Sequence, residues 1–204
     1  MRFILLFFIM SISLCSFSQE KLPIFYLEKD SLADIWVDSI ISTMNNDEKI
    51  GQLFMVAAYS NNQKNNKNHI ENLIRDYKIG GIMFLQGSPT KQAFLTNHYQ
   101  SISQAPLMIA MDAEWGVAMR LDSSLAFPWQ MTLGSIDDKL HNDLLYDMSV
   151  DIARQCKLIG VNINFAPVVD VNSNPNNPII NNRSFGEEPK KVALHSNIYM
   201  KGLQ

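Results

Sequence analysis

Two stretches of the sequence each carry an apolar run that ends in an acidic residue. Residues 107–111 are apolar and lead into Asp112, and residues 160–169 lead in the same way into Asp170. In both cases an arginine follows further along the chain. Short apolar runs bounded by turn residues are typical of buried β-strands. Because α/β proteins carry their chemistry at the carboxyl ends of parallel strands, both stretches predict functional positions.

Segments with strand character alternate with segments of helical periodicity along the whole chain. The predicted strands lie within residues 50–58, where a helix turns into a strand, and at residues 81–85, 107–111 and 161–165. The predicted helices cover residues 31–44, 70–77, 88–103 and 140–156, with a last helix starting near residue 189. Residues 59–68 and 172–182 are rich in asparagine, which is typical of loops and turns.

Two of the predicted helices have a recognisable apolar face. The first face consists of four side chains: Ile70, Leu73, Ile74 and Tyr77. Gly80 is predicted to end that helix. The second is a stripe with a residue at every fourth position: Leu140, Leu144, Met148, Ile152 and Cys156. These faces are expected to pack against a sheet.

The alternation of strand and helix predicts an α/β fold with a parallel sheet and right-handed crossovers. We count four strand–helix units in 204 residues. A (β/α)8 barrel has eight units and typically about 250 residues, so four units fit the N-terminal part of a TIM-type barrel, incomplete in this chain. A complete open doubly wound sheet is the alternative that spacing alone leaves open.

Composition excludes several functional classes. The chain is 47% hydrophobic and 18% charged, which is typical of a globular domain that buries a sizeable core. The formal net charge of −3 provides no basic field for nucleic acid. Neither a Gly-x-Gly-x-x-Gly nor a Gly-x-x-x-x-Gly-Lys-Ser/Thr pattern occurs, so nothing predicts a nucleotide site.

The first 18 residues have the features of a signal peptide. Arg2 supplies a positive charge, residues 3–10 form an apolar run, and residues 16–18 form a small-x-small cleavage site. The run is too short to span a bilayer, so an exported protein, periplasmic or secreted, is expected. Lipidation of Cys15 is a minor alternative, because Leu14 is a poor residue to precede a lipidated cysteine.

Removal of residues 1–18 would leave Cys156 as the one cysteine. A single thiol forms no internal disulfide, so the fold is expected to depend on its core. Cys156 lies on the apolar stripe of its helix. We therefore interpret it as a small buried core residue rather than a nucleophile.

The segments Asp-Ala-Glu-Trp-Gly at 112–116, Phe-Ala-Pro-Val at 165–168 and Arg-Ser-Phe-Gly at 183–186 occur in the order of known family motifs. Together they resemble the N-terminal barrel of family 3 glycoside hydrolases, in particular the β-N-acetylhexosaminidase branch. Residues 112–120, Asp-Ala-Glu-Trp-Gly-Val-Ala-Met-Arg, are similar to the family's Asp-x-Glu-Gly-Gly-x-x-x-Arg, and Phe-Pro follows at positions 127–128. Residues 165–170 and 183–186 are similar to its Phe-Ala-Pro-Val-x-Asp and Arg-Ser-Phe-Gly elements. Trp115 departs from the pattern, which has glycine there, so local backbone shape or an aromatic surface for a neighbouring sugar is in question.

The resemblance implies that Asp112, Arg120 and Arg183 bind the substrate sugar. A carboxylate accepts hydrogen bonds from vicinal hydroxyls, and a guanidinium donates a fixed fork of N–H groups to oxygens. The alternative for Asp112 is a helix or turn cap after its strand, and for each arginine a solvated surface charge, which would be favoured for the arginines without the resemblance. With it, sugar binding is the favoured interpretation for all three residues.

Other candidate residues have weaker support. The resemblance implies that Glu114 holds its turn rather than acting as an acid. Asp170 either lines the site or caps Asn172, and the sequence favours neither. No histidine pair has ligand spacing, so neither a metal nor another cofactor is expected. The three tryptophans form no stripe, and of them Trp115 alone is predicted to offer a stacking surface.

Catalytic residues are absent from the predicted site. Retaining glycosidases need a carboxylate nucleophile and an acid/base about 5 Å apart. Nothing here resembles the Lys-His-Phe-Pro-Gly motif that accompanies the acid/base in this branch. We therefore expect the family's catalytic residues beyond Gln204, and this polypeptide alone to be inactive. The expected substrate is a carbohydrate, such as a cell-wall amino sugar. The alternatives are a family 3 β-glucosidase and a non-catalytic exported sugar-binding module.

Overall fold

The computed structural model describes residues 31–61, 66–136 and 138–204. The predicted signal peptide, including Cys15, lies outside the described residues. The chain divides into two units, residues 1–39 and residues 40–204. The described part of the first unit belongs to helix α1 (Ser31–Ser42), which matches the first predicted helix apart from its last turn. None of the described helices combines the length and apolar character needed to cross a bilayer.

Four parallel strands form one sheet in the second unit. Their order in the sheet is their order in the chain: β1 (Met55–Tyr59), β2 (Gly81–Gln86), β3 (Met108–Met111) and β4 (Ile163–Asn164). A doubly wound sheet reverses its strand order at a switch point, whereas a barrel adds each strand beside the previous one. The uninterrupted order is therefore that of part of a TIM-type barrel, as predicted.

The helices connect the strands in the predicted rhythm. Helix α2 (Asn46–Gly51) precedes β1, α3 (Lys67–Tyr77) connects β1 to β2, and α4 (Pro89–Ile102) connects β2 to β3. Helices α5 (Gln130–Gly134) and α6 (Asp138–Leu158) lie between β3 and β4, and α7 (Pro189–Leu203) follows β4. Helix α2 begins with a capping box, in which Asn45 Oδ1 accepts from Glu48 N–H and Glu48 Oε2 accepts from Asn45 N–H, both at 3.0 Å. Helix α5 was not predicted from the sequence.

The core lies between the sheet and the helices that cover it. Ile82, Phe84, Ile109 and Met111 of the central strands are fully buried against helical side chains. Cys156 of α6 is part of this core, as predicted, and burial raises the pKa of its thiol to about 11. A thiol with that pKa stays protonated at neutral pH, so Cys156 behaves as a small apolar residue.

The predicted apolar stripe of α6 is wrong at Leu144. Met148, Ile152 and Cys156 are buried, but Leu144 is 52% exposed and its neighbour Leu145 is 1% exposed. A helix turns about 100° per residue, so a four-residue repeat drifts by about 40° at each step. Over three steps back from Cys156, the drift carries the stripe off the buried face and Leu145 takes its place.

The structure corrects two further predictions at the ends of elements. Tyr77 is exposed, while Ile70 and Ile74 of the same helix are buried. Helix α3 ends at Tyr77 rather than at the predicted Gly80, and Lys78 adopts the left-handed conformation (φ 51°) that ends it. Ile70 and Ile74 are one turn apart and belong to the buried core, whereas Tyr77 is the last residue of the helix and is 64% exposed.

Strand β4 is shorter than the predicted 161–165. Its regular part is Ile163–Asn164, and the side chain of Phe165 is exposed. The pairing with β3 nevertheless extends to Asn162. Its N–H donates to the Ile109 carbonyl, and its Oδ1 accepts from Ile109 N–H, both at 2.9 Å. The asparagine side chain replaces a backbone acceptor at this position, which shortens the regular strand.

The two leucines of α6 provide a matched test of the fold. We predict that Leu145→Ala lowers the free energy of unfolding by about 2–5 kcal/mol, because it opens a cavity in the core. Leu144→Ala, at the adjacent exposed position, should change it by less than about 0.5 kcal/mol. Urea unfolding followed by far-UV circular dichroism measures both. Equal effects of the two substitutions would mean that α6 presents a different face to the sheet.

Candidate functional site

The loop that follows β3 carries the first predicted site residue. Asp112 comes directly after Met111, the last residue of β3, and so lies at the carboxyl end of the sheet. A 3₁₀ turn (Val117–Met119) then brings Arg120 back toward it. Arg120 Nη2 donates to Asp112 Oδ2, and both side chains are partly buried. The two predicted residues therefore form one ion pair rather than a turn cap and a solvated charge.

Arg183 pairs with Glu114, a contact that the sequence did not predict. Arg183 Nε lies 3.1 and 3.0 Å from the two carboxylate oxygens of Glu114, and Nη2 lies 2.8 Å from Oε1. Glu114 is 3% exposed and Arg183 33% exposed. The two residues are 69 positions apart in the chain, and the pair joins the loop after β3 to the loop after β4. Glu114 is thus buried and ion-paired, in keeping with a structural role.

The guanidinium of Arg183 keeps donor capacity beyond this pair. Of its five N–H groups, Nε–H and one Nη2–H reach Glu114, and one Nη1–H reaches the Ile179 carbonyl at 3.2 Å. One N–H on each of Nη1 and Nη2 thus has no partner among the described residues. Two such groups form a fork that suits a pair of hydroxyls or a carbonyl oxygen.

Neighbouring elements fix the backbone of the loop after β3. Asn164 Oδ1 of β4 accepts from Ala113 N–H at 3.0 Å. The buried Tyr199 hydroxyl of α7 faces the carbonyls of Glu114 and Ala113 at 3.1 and 3.3 Å. Gly116 completes the turn with a φ of 89°, which glycine adopts without strain. The loop is therefore held by β4 and by α7, and Asp112 and Glu114 have defined positions.

The loop after β4 is held in a similar way. Gln130, buried at the start of α5, exchanges two hydrogen bonds with Val168: its Nε2 donates to the Val168 carbonyl (2.9 Å) and its Oε1 accepts from Val168 N–H (3.2 Å). Ser184 Oγ donates to the Asp170 carbonyl at 2.6 Å. The backbone N–H of Asn172 donates to the Gly186 carbonyl, so Asp170 does not cap Asn172. That half of the alternative for Asp170 is wrong.

Opposite charges concentrate in this patch. The hydrogen bond to Glu114 raises the pKa of Arg183, and the negative charges of Glu114, Asp112 and Asp170 raise it further. Arg183 therefore stays protonated at any pH that the fold tolerates. Three carboxylates surround two guanidiniums, an arrangement that donates and accepts hydrogen bonds over a small area and suits a polyhydroxylated ligand.

Trp129 is a site residue that the sequence did not predict. Its ring stacks on that of Trp115, with 4.7 Å between the ring centroids and 7° between the planes. The sequence spacing of the tryptophans gave no sign of this contact, because it is made across a loop of more than a dozen residues. Trp115 has no positive φ, so the departure from the family's glycine does not strain the backbone.

The histidines do not contribute to this patch in the part of the chain that the structure describes. His98 Nε2 lies 2.8 Å from Glu71 Oε1 on the helical side of the sheet, and His195 is buried against the ring of Phe185. Among the described residues no three histidine, cysteine, aspartate or glutamate side chains come together as metal ligands would.

The sequence comparisons identify the family to which this parallel α/β fold belongs. Residues 45–204 match the glycosyl hydrolase family 3 N-terminal domain, so the chain belongs to that family. The chain is 41% identical over 133 residues to β-hexosaminidase A of Pseudoalteromonas piscicida, covering 60% of this chain and 22% of the relative. The identification made from the sequence motifs is confirmed.

Two further relatives agree with this assignment. A β-N-acetylglucosaminidase/β-glucosidase of Cellulomonas fimi is 29% identical over 180 residues, which is 88% of this chain and 30% of the relative. The structure of a family 3 β-N-acetylglucosaminidase from Paenibacillus sp. str. FPU-7 superposes with a TM-score of 0.67 at 29% identity, covering 79% of this chain and 31% of that one. The chain thus spans less than a third of the length of each of these relatives.

The Glu114–Arg183 pair leads to a testable prediction about stability. We predict that Glu114→Ala lowers the free energy of unfolding by about 1–3 kcal/mol, because Arg183 loses its charged acceptor in a largely buried setting. The control is Asp151→Ala, which breaks the exposed Asp151–Arg154 pair of 3.2 Å and should cost less than about 1 kcal/mol. Thermal or urea unfolding compares them. A silent Glu114→Ala would show that the pair does not hold the two loops together.

Proposed function

We propose that the protein to which this chain belongs is a retaining β-N-acetylhexosaminidase that releases terminal N-acetylglucosamine or a related amino sugar. The observation that carries the proposal is the presence of two ion pairs, Asp112–Arg120 and Glu114–Arg183, in the loops after β3 and β4. The names of the relatives from Pseudoalteromonas and Paenibacillus support the same activity. The substrate-binding residues proposed here are Asp112, Arg120 and Arg183.

Each residue has a distinct role in this proposal. Asp112 accepts hydrogen bonds from hydroxyls of the terminal sugar, since its second carboxylate oxygen has no partner among the described residues. Arg120 holds that carboxylate in place through their ion pair. Arg183 donates its two remaining N–H groups to hydroxyl or carbonyl oxygens of the sugar. Glu114 positions Arg183 and does not act as an acid, because it is buried beneath an ion pair and faces away from solvent.

Bond cleavage requires two further carboxyl groups in suitable positions. A retaining mechanism needs a nucleophile and an acid/base about 5 Å apart. Asp112 and Glu114 are each engaged by an arginine, so neither serves as the proton donor, and we assign neither catalytic role within residues 45–204. In this proposal, residues of this chain bind the terminal sugar, while the groups that act on the glycosidic bond lie beyond Gln204. The mechanism we propose uses no metal or other cofactor.

A β-glucosidase is the second candidate. The name of the Cellulomonas fimi relative includes both activities, and the described residues that bind hydroxyls would serve glucose as well as N-acetylglucosamine. Aryl N-acetylglucosaminide and aryl glucoside, compared at equal concentration with the whole protein, distinguish the two. A kcat/KM at least tenfold higher for the glucoside would replace the proposed activity with this one.

The sugar-binding role is testable in the whole protein that contains this chain. We predict that Asp112→Asn and Arg183→Lys each lower kcat/KM for aryl N-acetylglucosaminide by at least about tenfold, because a charged hydrogen bond is worth roughly 1.5–3 kcal/mol. Lysine is chosen for Arg183 because it leaves Glu114 a cationic partner but loses the planar fork. Asp122→Asn, an exposed carboxylate in the same segment, should keep full activity. Wild-type activity in both site variants would refute the assignment.

We also propose that the protein is exported to the periplasm or the medium after removal of residues 1–18. The polar sequence after position 18 and the short apolar run before it support this proposal. We predict that mass spectrometry of the exported protein finds Gln19 as the first residue. Leu6→Asp should retain an uncleaved protein in the cytoplasm, whereas Leu27→Asp should leave export unchanged. Cytoplasmic wild-type protein with an intact N-terminus would contradict the proposal.

A further inference from the structure

The stacked tryptophans beside the site are not explained by the core. Trp115 and Trp129 lie with their rings nearly parallel, and Trp129 is 44% exposed. Neither ring belongs to the buried cluster between the sheet and the helices. Large aromatic rings that stay partly exposed beside a group of polar residues are typical of ligand-binding surfaces. The sequence-based interpretation considered Trp115 alone, and the structure adds a second ring to the same surface.

Both rings are anchored by the loops that build the site. Trp115 follows Glu114 directly, and its carbonyl accepts a hydrogen bond from Phe127 N–H at 3.0 Å. Trp129 precedes Gln130, which is buried and bonded to Val168 in the loop after β4. Both rings therefore belong to the segment between β3 and α5, and the end of that segment is tied to the loop after β4 through Gln130. Because this surface is already ordered, little conformational entropy of the protein is lost when a ligand binds to the rings.

The chemistry of the rings complements that of the charged patch. Asp112, Arg120 and Arg183 address hydroxyl and carbonyl oxygens, whereas an indole face addresses the apolar C–H face of a pyranose. The negative face of the indole quadrupole attracts the weakly positive C–H groups of a sugar. Since the charged patch is assigned to the terminal sugar, a pyranose that packs on the tryptophans would be the next sugar of the same oligosaccharide.

We propose that Trp115 and Trp129 form a binding surface for a second pyranose ring, on the leaving-group side of the terminal sugar. This inference rests on the proposed function, because the position of the terminal sugar is taken from Asp112 and Arg183. It makes the protein selective for oligosaccharides over single amino sugars. The exposed ring of Trp129 is the part that the second sugar covers.

The test compares binding of two probes that the whole protein does not cleave, N-acetylglucosamine and S-linked (thioglycosidic) chitotriose, measured by isothermal titration calorimetry. Trp129→Ala should weaken chitotriose binding by about tenfold or more and leave N-acetylglucosamine binding unchanged. Trp129→Phe, which keeps an aromatic face, should restore most of the affinity. Phe94→Ala, at an exposed aromatic residue of α4, is the control and should alter neither Kd.

A further variant separates this inference from the function on which it rests. Asp112→Asn should weaken both probes; if it weakens neither, the assignment of the sugar site itself fails. If Asp112→Asn weakens both but Trp129→Ala weakens neither, or weakens both equally, the sugar site stands and the second-sugar surface is refuted. Melting temperatures within about 2 °C of wild type confirm that Trp129→Ala and Trp129→Phe remain folded.

Discussion

The ion pair between Glu114 and Arg183 is the interaction on which the rest of the site depends. It connects two loops that are far apart in sequence, and it places a carboxylate that is 3% exposed against a guanidinium that is 33% exposed. Burying a carboxylate is costly unless it is paired and hydrogen-bonded, and here three contacts of 2.8–3.1 Å satisfy it. Asn164 and Tyr199 fix the backbone around Glu114, so the position of its carboxylate does not depend on Arg183 alone.

The parallel sheet makes this long-range contact possible. Strands β3 and β4 are neighbours, with Met111 paired to Asn164, so the loops that follow them emerge side by side. Asp112 and Glu114 come from the first loop and Arg183 from the second. The site is thus assembled by strand order, and the ion pairs fix its detail. Residues held by rigid elements in this way keep the geometry that ligand binding requires.

Much of the fold could be predicted from the sequence, because it depends on local patterns. The apolar runs at 81–85 and 107–111 become β2 and β3, and Pro89 opens α4 where a proline at the first helical position predicts it. The predictions that failed depend on tertiary contacts. A four-residue repeat does not show that Leu145, and not Leu144, faces the sheet. Nor does spacing show that Trp129 stacks on Trp115 across a loop.

Arg183 has two tasks that compete for the same five N–H groups. The edge that contains Nε is committed to Glu114, and one Nη1–H is committed to the Ile179 carbonyl. One N–H on each of Nη1 and Nη2 remains, and the bonds that the guanidinium already makes set the direction of these two groups. Any change that weakens the ion pair therefore both loosens the loops and reorients the remaining donors. If Arg183 has the proposed sugar-binding role, stability and sugar affinity are linked at this residue, whereas Asp112, held by the separate Arg120 pair, would contribute to affinity with less effect on the fold.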